Sequence, residues 1–286
     1  MGSDLKESIT SDSIFSEIMM LRTSDARTIV LVEGPEDVAA LEPHMLSDHA
    51  FTLPTTGKGI LLGAVELIDQ AKVERVLAIA DLDWTNILYP PHVSNNLIYT
   101  EHADMDITIL KCPMVITRIC WSHCDAGRLK SLLQRSGHSS VLDLAVVFAS
   151  AVGALRLASV RDGLQLNLRK FPVHDVIDLT TLAPNLRRLA ELAVQRSKNV
   201  AVSVADLEAT VKGEIEAMSV PLRYCSGHDL IAVIAAILKG YGSNAGADAL
   251  SKSIHSAFSC GDLRTTSLYL RVSGWAELRN LQIWSC

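Results

Sequence analysis

Two hydrophobic patterns divide the chain. Up to about residue 110, short unbroken apolar runs alternate with stretches of helical period. Residues 28–32 (TIVLV) and 76–80 (VLAIA) are continuous apolar runs, the pattern of parallel strands buried on both faces. Residues 97–100 predict a third, shorter strand. Residues 11–21 place Ile14, Phe15, Ile18, Met19 and Leu21 at helical spacing, with Ser11 or Ser13 as cap. Pro35 suits the first turn of a helix through Val38, Ala39 and Leu41. A loop at Gly57-Lys58-Gly59 precedes a helix through Leu61, Val65 and Ile68. The β-α-β alternation predicts a mostly parallel sheet flanked by helices. Right-handed crossovers bring the strand ends to one edge, where such sheets bind ligands. Glu33, Asp81, Asp83 and Glu101 fall at those ends.

Beyond residue 110 the pattern turns helical, with helices predicted at 126–134, 139–158, 182–198, 204–218, 229–239 and 263–271. Alternation at 164–178 predicts one or two strands, and 230–238, apolar on every side, predicts the centre of a second core. The expected organisation is an N-terminal helix in 1–26, an α/β metal-binding domain in 27–110, and a mainly helical domain with a small β element in 111–286.

Composition narrows the class. The chain has 286 residues, 49% hydrophobic and 20% charged, which fits a globular protein and excludes a disordered one. The longest charge-free apolar run in its middle, 144–155, falls short of the roughly 20 residues of a spanning helix, so no membrane crossing is expected. Residues 1–6 lack the basic and apolar regions of a secretory signal. Six cysteines are too sparse for a disulfide scaffold, and a reducing cytoplasm is the expected location. The net charge of −6 hides a split: −9 over 27–110 and +6 over 111–286. That split suggests a metal site beside a phosphate-holding surface.

The acids sit in a defined order. Glu33 and Asp37 lie four apart across a strand-to-helix turn, and Asp81 and Asp83 flank one residue beyond the next strand. In extended chain, positions i and i+2 face the same way, so both aspartates are expected to face one cavity. Carboxylates so close repel and raise one another's pKa, a penalty that a divalent cation removes. Mg²⁺, a hard ion, prefers carboxylates and retained waters.

Glu33 within VEGPED and Asp81/Asp83 within ADLD resemble the TOPRIM domain of topoisomerases, primases and OLD-type nucleases. Together with Gly57-Lys58-Gly59, the acidic element His102-Ala103-Asp104-Met105-Asp106 and Gly227-His228-Asp229-Leu230, they look most similar to the TOPRIM-like DUF4435 family. That family often has glutamate where this chain has Asp106. The resemblance implies Mg²⁺- or Mn²⁺-dependent phosphodiester cleavage. It implies Glu33 as ligand or general base, Asp81 and Asp83 as ligands, and Asp37 as a further ligand or orienting group. Lys58 would hold a phosphate oxygen or offset transition-state charge. Asp104 and Asp106 would serve a second metal. Members of the family look like the nuclease half of two-gene antiphage systems of the PARIS kind. The resemblance therefore implies an ABC-type ATPase partner, release on a phage signal, and cleavage of nucleic acid, with host transfer RNA as the implied target. It also implies dimerisation.

Other signals compete. Asp81-Leu82-Asp83-Trp84-Thr85 also fits the D-x-D-x-T start of haloacid-dehalogenase-like phosphatases, with a nucleophilic first aspartate. That motif normally opens on the first strand, and no later acidic pair suits the role. A non-catalytic module docking on an ATPase is a third reading. Cys120, His123 and Cys124 resemble half a zinc site, although buried free cysteines are commoner. No G-x-x-x-x-G-K-[ST] is present, so the chain is not expected to hydrolyse ATP itself. Arg169, Lys170, Arg187, Arg188, Arg196 and Lys198 are candidates for holding a phosphate backbone. Leu278, Leu281, Ile283 and Trp284 offer a surface for a homodimer. Asp229 reads as a helix cap.

Overall fold

A computed structural model describes residues 9–198 and 201–286, so the signal-sequence reading at residues 1–6 lies outside the described residues. The chain forms two compact units: residues 9–112 with 258–286, and residues 113–257.

The first unit is built on a four-stranded, wholly parallel sheet. Helix α1 (Ser11–Arg22) leads into β1 (Thr28–Val32), α2 (Pro35–Leu41), β2 (Ala50–Pro54), α3 (Lys58–Ala71), β3 (Val76–Ala80) and β4 (Leu97–Tyr99). Strand order is β2-β1-β3-β4, with Val30 opposite Leu77 and Ile79 opposite Ile98. Every residue of β1 and β3 is buried, as their unbroken apolar runs require. One face packs Ile29, Leu31, Val76 and Ala78 against Ile14 and Ile18 of α1 and Leu61, Val65 and Ile68 of α3. The capping box of α1 uses Thr10 with Ser13. Pro35 opens α2, as its fixed φ allows. Gly57 precedes α3 at φ 132°, a conformation that only glycine adopts without strain.

Strand β2 is absent from the sequence reading. It lies on the sheet edge, only Ala50 in it is buried, and it ends in Pro54, so it carries little of a strand's pattern. Helix α4 (Met105–Leu110) is missed for the opposite reason: all six of its residues are buried, which erases the periodicity.

The second unit contains α5 (Pro113–His123), α6 (Ala126–Ser136), α7 (Val141–Arg161), the two-residue pair β5 (Ile177–Asp178) and β6 (Ala183–Pro184), and then α8 (Leu186–Arg196), α9 (Val204–Ala217), α10 (Gly227–Lys239) and α11 (Ala247–Ala257). The strands expected over 164–178 shrink to β5. Gln165 and Lys170 take positive φ, at 52° and 47°, and break the extended chain, so Arg169 and Lys170 lie in a turn and not on a strand. By length and composition α7 would cross a membrane, yet 78% of its apolar window is buried inside the protein as a core helix.

Helix α10 packs as the buried centre that its composition predicts. Ser226 caps it, while Asp229 forms a two-pronged ion pair with Arg156 at 2.7 and 2.9 Å, which corrects the capping role expected for Asp229. At Gly153 of α7, an added Cβ would stand 2.0 Å from the Tyr224 carbonyl oxygen. Gly153→Ala is therefore expected to destabilise this unit by about 1–3 kcal/mol through overpacking. Urea denaturation measures it.

The chain then returns to the first unit through α12 (Cys260–Leu263) and α13 (Ser267–Glu277). This corrects the single domain expected over 111–286. The bonds that hold 258–286 in the first unit are long-range. Trp275 Nε1 donates to Asn95 O at 2.9 Å, Arg271 donates to Tyr99 O at 2.5 Å, and Leu46 N donates to Ile283 O at 2.8 Å. Trp284 stacks on Tyr269 at 6.0 Å and Ile283 is buried, so half of the proposed dimer surface packs on its own unit, while Leu278 stays 84% exposed.

Candidate metal centre

The sheet reverses direction of growth between β1 and β3, since the chain steps from β1 to β2 on one side and to β3 on the other. A crevice at the carboxyl ends is the usual ligand position at such a reversal. Glu33 leaves β1 and Asp81 leaves β3 at this point, and the Asp81 amide donates to Glu33 Oε1 at 2.9 Å. Asp37 Oδ2 accepts from the Gly34 amide at 2.9 Å, so it caps α2. Asp81 Oδ1 accepts from the Met105 amide at 3.2 Å. Asp104 caps α4 through Ile107 N at 2.9 Å. Asp106 lies buried within α4.

Electrostatics bind these acids into one group. Burial, and then the charges of Asp83 and Asp37, push the Glu33 carboxyl up to about 7 against the pull of the Asp81 amide and of Lys58. Burial pushes the Asp81 carboxyl up to about 10, helped by Glu33, Asp104, Asp37 and Asp83. Five of the six predicted carboxylates thus act on one another. Asp104, of the later pair, is among the charges that bear on Asp81.

Asp83 departs from the expected extended geometry. Its backbone is left-handed, at φ 41°, because its amide turns to donate to Ala103 O at 2.8 Å. Its side chain is half exposed and meets Lys58 Nζ at 3.0 Å. Lys58 also donates to the Asp81 carbonyl at 2.5 Å and to Thr85 Oγ1 at 3.3 Å. An ammonium has three N–H donors, so Lys58 is fully engaged in fastening the loop after β3. Its expected role on a phosphate would require it to release one of these partners. Thr85, which is buried, and Thr100, which accepts from Leu82 N at 3.0 Å, were not singled out from the sequence; only D-x-D-x-T hinted at the first.

The donor set fits a hard divalent ion: oxygen ligands at strand ends, with excess negative charge and one engaged cation. Mg²⁺ holds most of its waters and needs only one or two direct carboxylates. Among the described residues, only His44, Cys260 and Cys286 bring three ligand atoms within 4.8 Å of one another.

Stability should follow these charges. A carboxyl whose folded pKa is raised carries no penalty below its unfolded value, near 4, where both states are protonated. As pH rises, the unfolded chain releases the proton and the folded chain keeps it, so stability falls. The metal-free first unit is expected to lose stability as pH rises from 4.5 to about 7 through Glu33 and on to about 10 through Asp81. Denaturation midpoints at pH 5 and pH 8 check this.

The other sequence candidates resolve differently. Cys124 Sγ turns back to the Cys120 carbonyl at 3.1 Å, burial pushes the Cys120 thiol up to about 12, and Cys120, His123 and Cys124 do not form a three-ligand group among the described residues. Arg187 meets Glu191 at 3.5 Å and Glu208 at 3.8 Å, and Arg188 meets Glu191 at 3.6 Å. Arg196 donates to the carbonyls of Arg169 and Lys170 at 2.9 and 3.4 Å. The basic face of α8 is thus partly neutralised from within, while Lys198 is exposed. Cys260 and Cys286 form a disulfide, against the expectation of free thiols, and Ser285 N donates to His44 O next to it. Two open clefts, of about 760 and 830 Å³, lie at the opposite, amino-terminal edge of the sheet and contain none of the acidic group. No protein-family profile and no curated protein matches this sequence.

Proposed function

We propose that the chain is a TOPRIM-like, Mg²⁺- or Mn²⁺-dependent nuclease of the DUF4435 kind, acting in the cytoplasm as a toxic antiphage effector under the control of an ABC-type ATPase. The observation that carries this reading is the meeting of Glu33 and Asp81 at the β1/β3 reversal, both half-buried, with Asp81 raised by the charge of Glu33. Such an arrangement is costly unless a cation neutralises it. A bound divalent ion would supply Lewis acidity toward the scissile phosphate and lower the pKa of a bound water. Asp81 and Glu33 would hold it, with Asp83, Asp37 and Asp104 around them. Without a cation the Glu33 carboxyl is pushed up to about 7, and where Asp81 and its neighbours hold the ion Glu33 would be the group to take the proton of an attacking water or hydroxyl. Lys58 orients the D-x-D loop by its bonds to Asp81 O and Asp83 Oδ2. RNA is the favoured substrate class, with host transfer RNA as its chief member. Self-association would use Leu270 and Leu278, which are 65% and 84% exposed. The wide spacing of the carboxylates favours one alternative, a non-catalytic module that docks on the ATPase.

Cleavage separates the two. Purified chain, alone and with the ATPase, is incubated with total RNA and with supercoiled plasmid in Mn²⁺, in Mg²⁺ and in chelator. Cation-dependent cleavage that falls at least about 100-fold in Glu33→Gln is expected. Cleavage that survives both chelator and Glu33→Gln, or none under any condition, overturns the nuclease reading.

A further inference from the structure

We propose that His44, Cys260 and Cys286 form a zinc site in the reduced chain, separate from the carboxylate group and independent of the nuclease reading. Three separate segments converge here. His44 ends the short 3-10 turn Glu42–His44, Cys260 opens α12, and Cys286 lies on the segment that pairs with Met45. The three ligand atoms lie within 4.8 Å of one another. His44 Nδ1 is 3.8 Å from Cys260 Sγ and 3.9 Å from Cys286 Sγ. In a tetrahedral site, bonds of about 2.3 Å to sulfur and about 2.0 Å to nitrogen set the N···S separation at about 3.6 Å. Both observed separations are therefore within a few tenths of an ångström of a coordinated geometry.

The imidazole is held as a ligand must be. Its ring is buried at 7% exposure, and Phe258 stands edge-on at 5.1 Å. The His44 carbonyl accepts from both Ser285 N at 2.9 Å and Ser285 Oγ at 3.0 Å, which fixes the Cys286 backbone beside it. A purely structural disulfide has no need of an immobilised imidazole against both sulfurs. Imidazole and thiolate together are the soft donor set that selects zinc over Mg²⁺.

The two forms exclude each other. In this structure the sulfurs are bonded. A phosphine reductant and one water convert the disulfide into two thiols and the phosphine oxide. Zn²⁺ then displaces one proton from each thiol, and the sulfurs separate to about 3.8 Å around it. Three protein ligands leave the fourth position to water or a small thiol. The metal would replace the disulfide in tying the final segment to α12, so this tie would persist in a reducing compartment.

The test uses the whole chain, reduced with phosphine under argon, freed of metal by chelator and titrated with Co²⁺. One equivalent is expected to produce the near-ultraviolet thiolate-to-cobalt charge-transfer band, which a carboxylate site does not give. The band should vanish in Cys260→Ser and His44→Ala, persist in the Cys120→Ser/Cys124→Ser double variant, and be absent from the oxidised chain. Because a variant can fail to fold, alkylation of the wild type is mapped in parallel, and Zn²⁺ should shield Cys260 and Cys286. A reduced wild type without the band, a band surviving in Cys260→Ser and His44→Ala, a band lost in the Cys120→Ser/Cys124→Ser variant, or alkylation of Cys260 and Cys286 unaffected by Zn²⁺ would overturn the proposal.

Discussion

Asp81→Asn is expected to make the metal-free protein more stable at pH 8 while abolishing the cation-dependent cleavage proposed above. The wild-type carboxyl is pushed up to about 10 by burial and by four neighbouring acids. At pH 8 the folded state must either hold a proton that the unfolded chain has released, or keep a repelled, half-buried charge. An amide removes that conflict, keeps nearly the same volume, and leaves an oxygen to accept from the Met105 amide. The gain should be about 2 kcal/mol, typical of relieving strain at a functional site. It should shrink toward pH 4, where the aspartate is protonated in both states. The stabilisation that Mn²⁺ confers on the wild type should disappear in the variant. Thermal melts with and without Mn²⁺ at pH 5 and pH 8 measure all of this. A variant less stable than wild type at pH 8 would mean that Asp81 serves the fold and not a ligand.

The opposite result is expected in the second unit. Asp229→Ala removes the partner of Arg156 at a position only 4% exposed. It strands a largely enclosed guanidinium and deletes an acid from the first turn of α10. The expected loss is about 3 kcal/mol, near the lower end for a broken buried pair. Asp229→Asn should cost less, since one hydrogen bond to Arg156 can survive. Urea titration followed by far-ultraviolet circular dichroism reads both. A change below about 0.5 kcal/mol in Asp229→Ala would show that solvent already screens this pair.

The sequence was most legible where burial is uniform and local. β1 and β3 appear at the predicted residues because a strand covered on both faces has to be apolar throughout. The strand ends then located Glu33, Asp81 and Asp83 without further information. What stayed hidden depends on contacts between distant segments. The left-handed turn at Asp83 is dictated by Ala103 O, twenty residues on. The engagement of Lys58 depends on the loop after β3, and the return of 258–286 to the first unit depends on Asn95, Tyr99 and Leu46. The grouping of His44 with Cys260 and Cys286 joins positions more than two hundred residues apart. No periodicity records such pairings. The alternation at 164–178 misled because side-chain pattern does not report the positive φ at Gln165 and Lys170.

The central claim is that the acids at the β1/β3 reversal hold a hard divalent cation. Mn²⁺ tests it most directly, because the electron paramagnetic resonance signal of the free ion is lost on binding and the ion avoids thiolate sites. Titration at pH 8 should show Mn²⁺ bound to the wild-type chain, displaced by excess Mg²⁺, and unbound in Asp81→Asn. Equal binding by wild type and Asp81→Asn, or no binding by the wild type, would contradict the account.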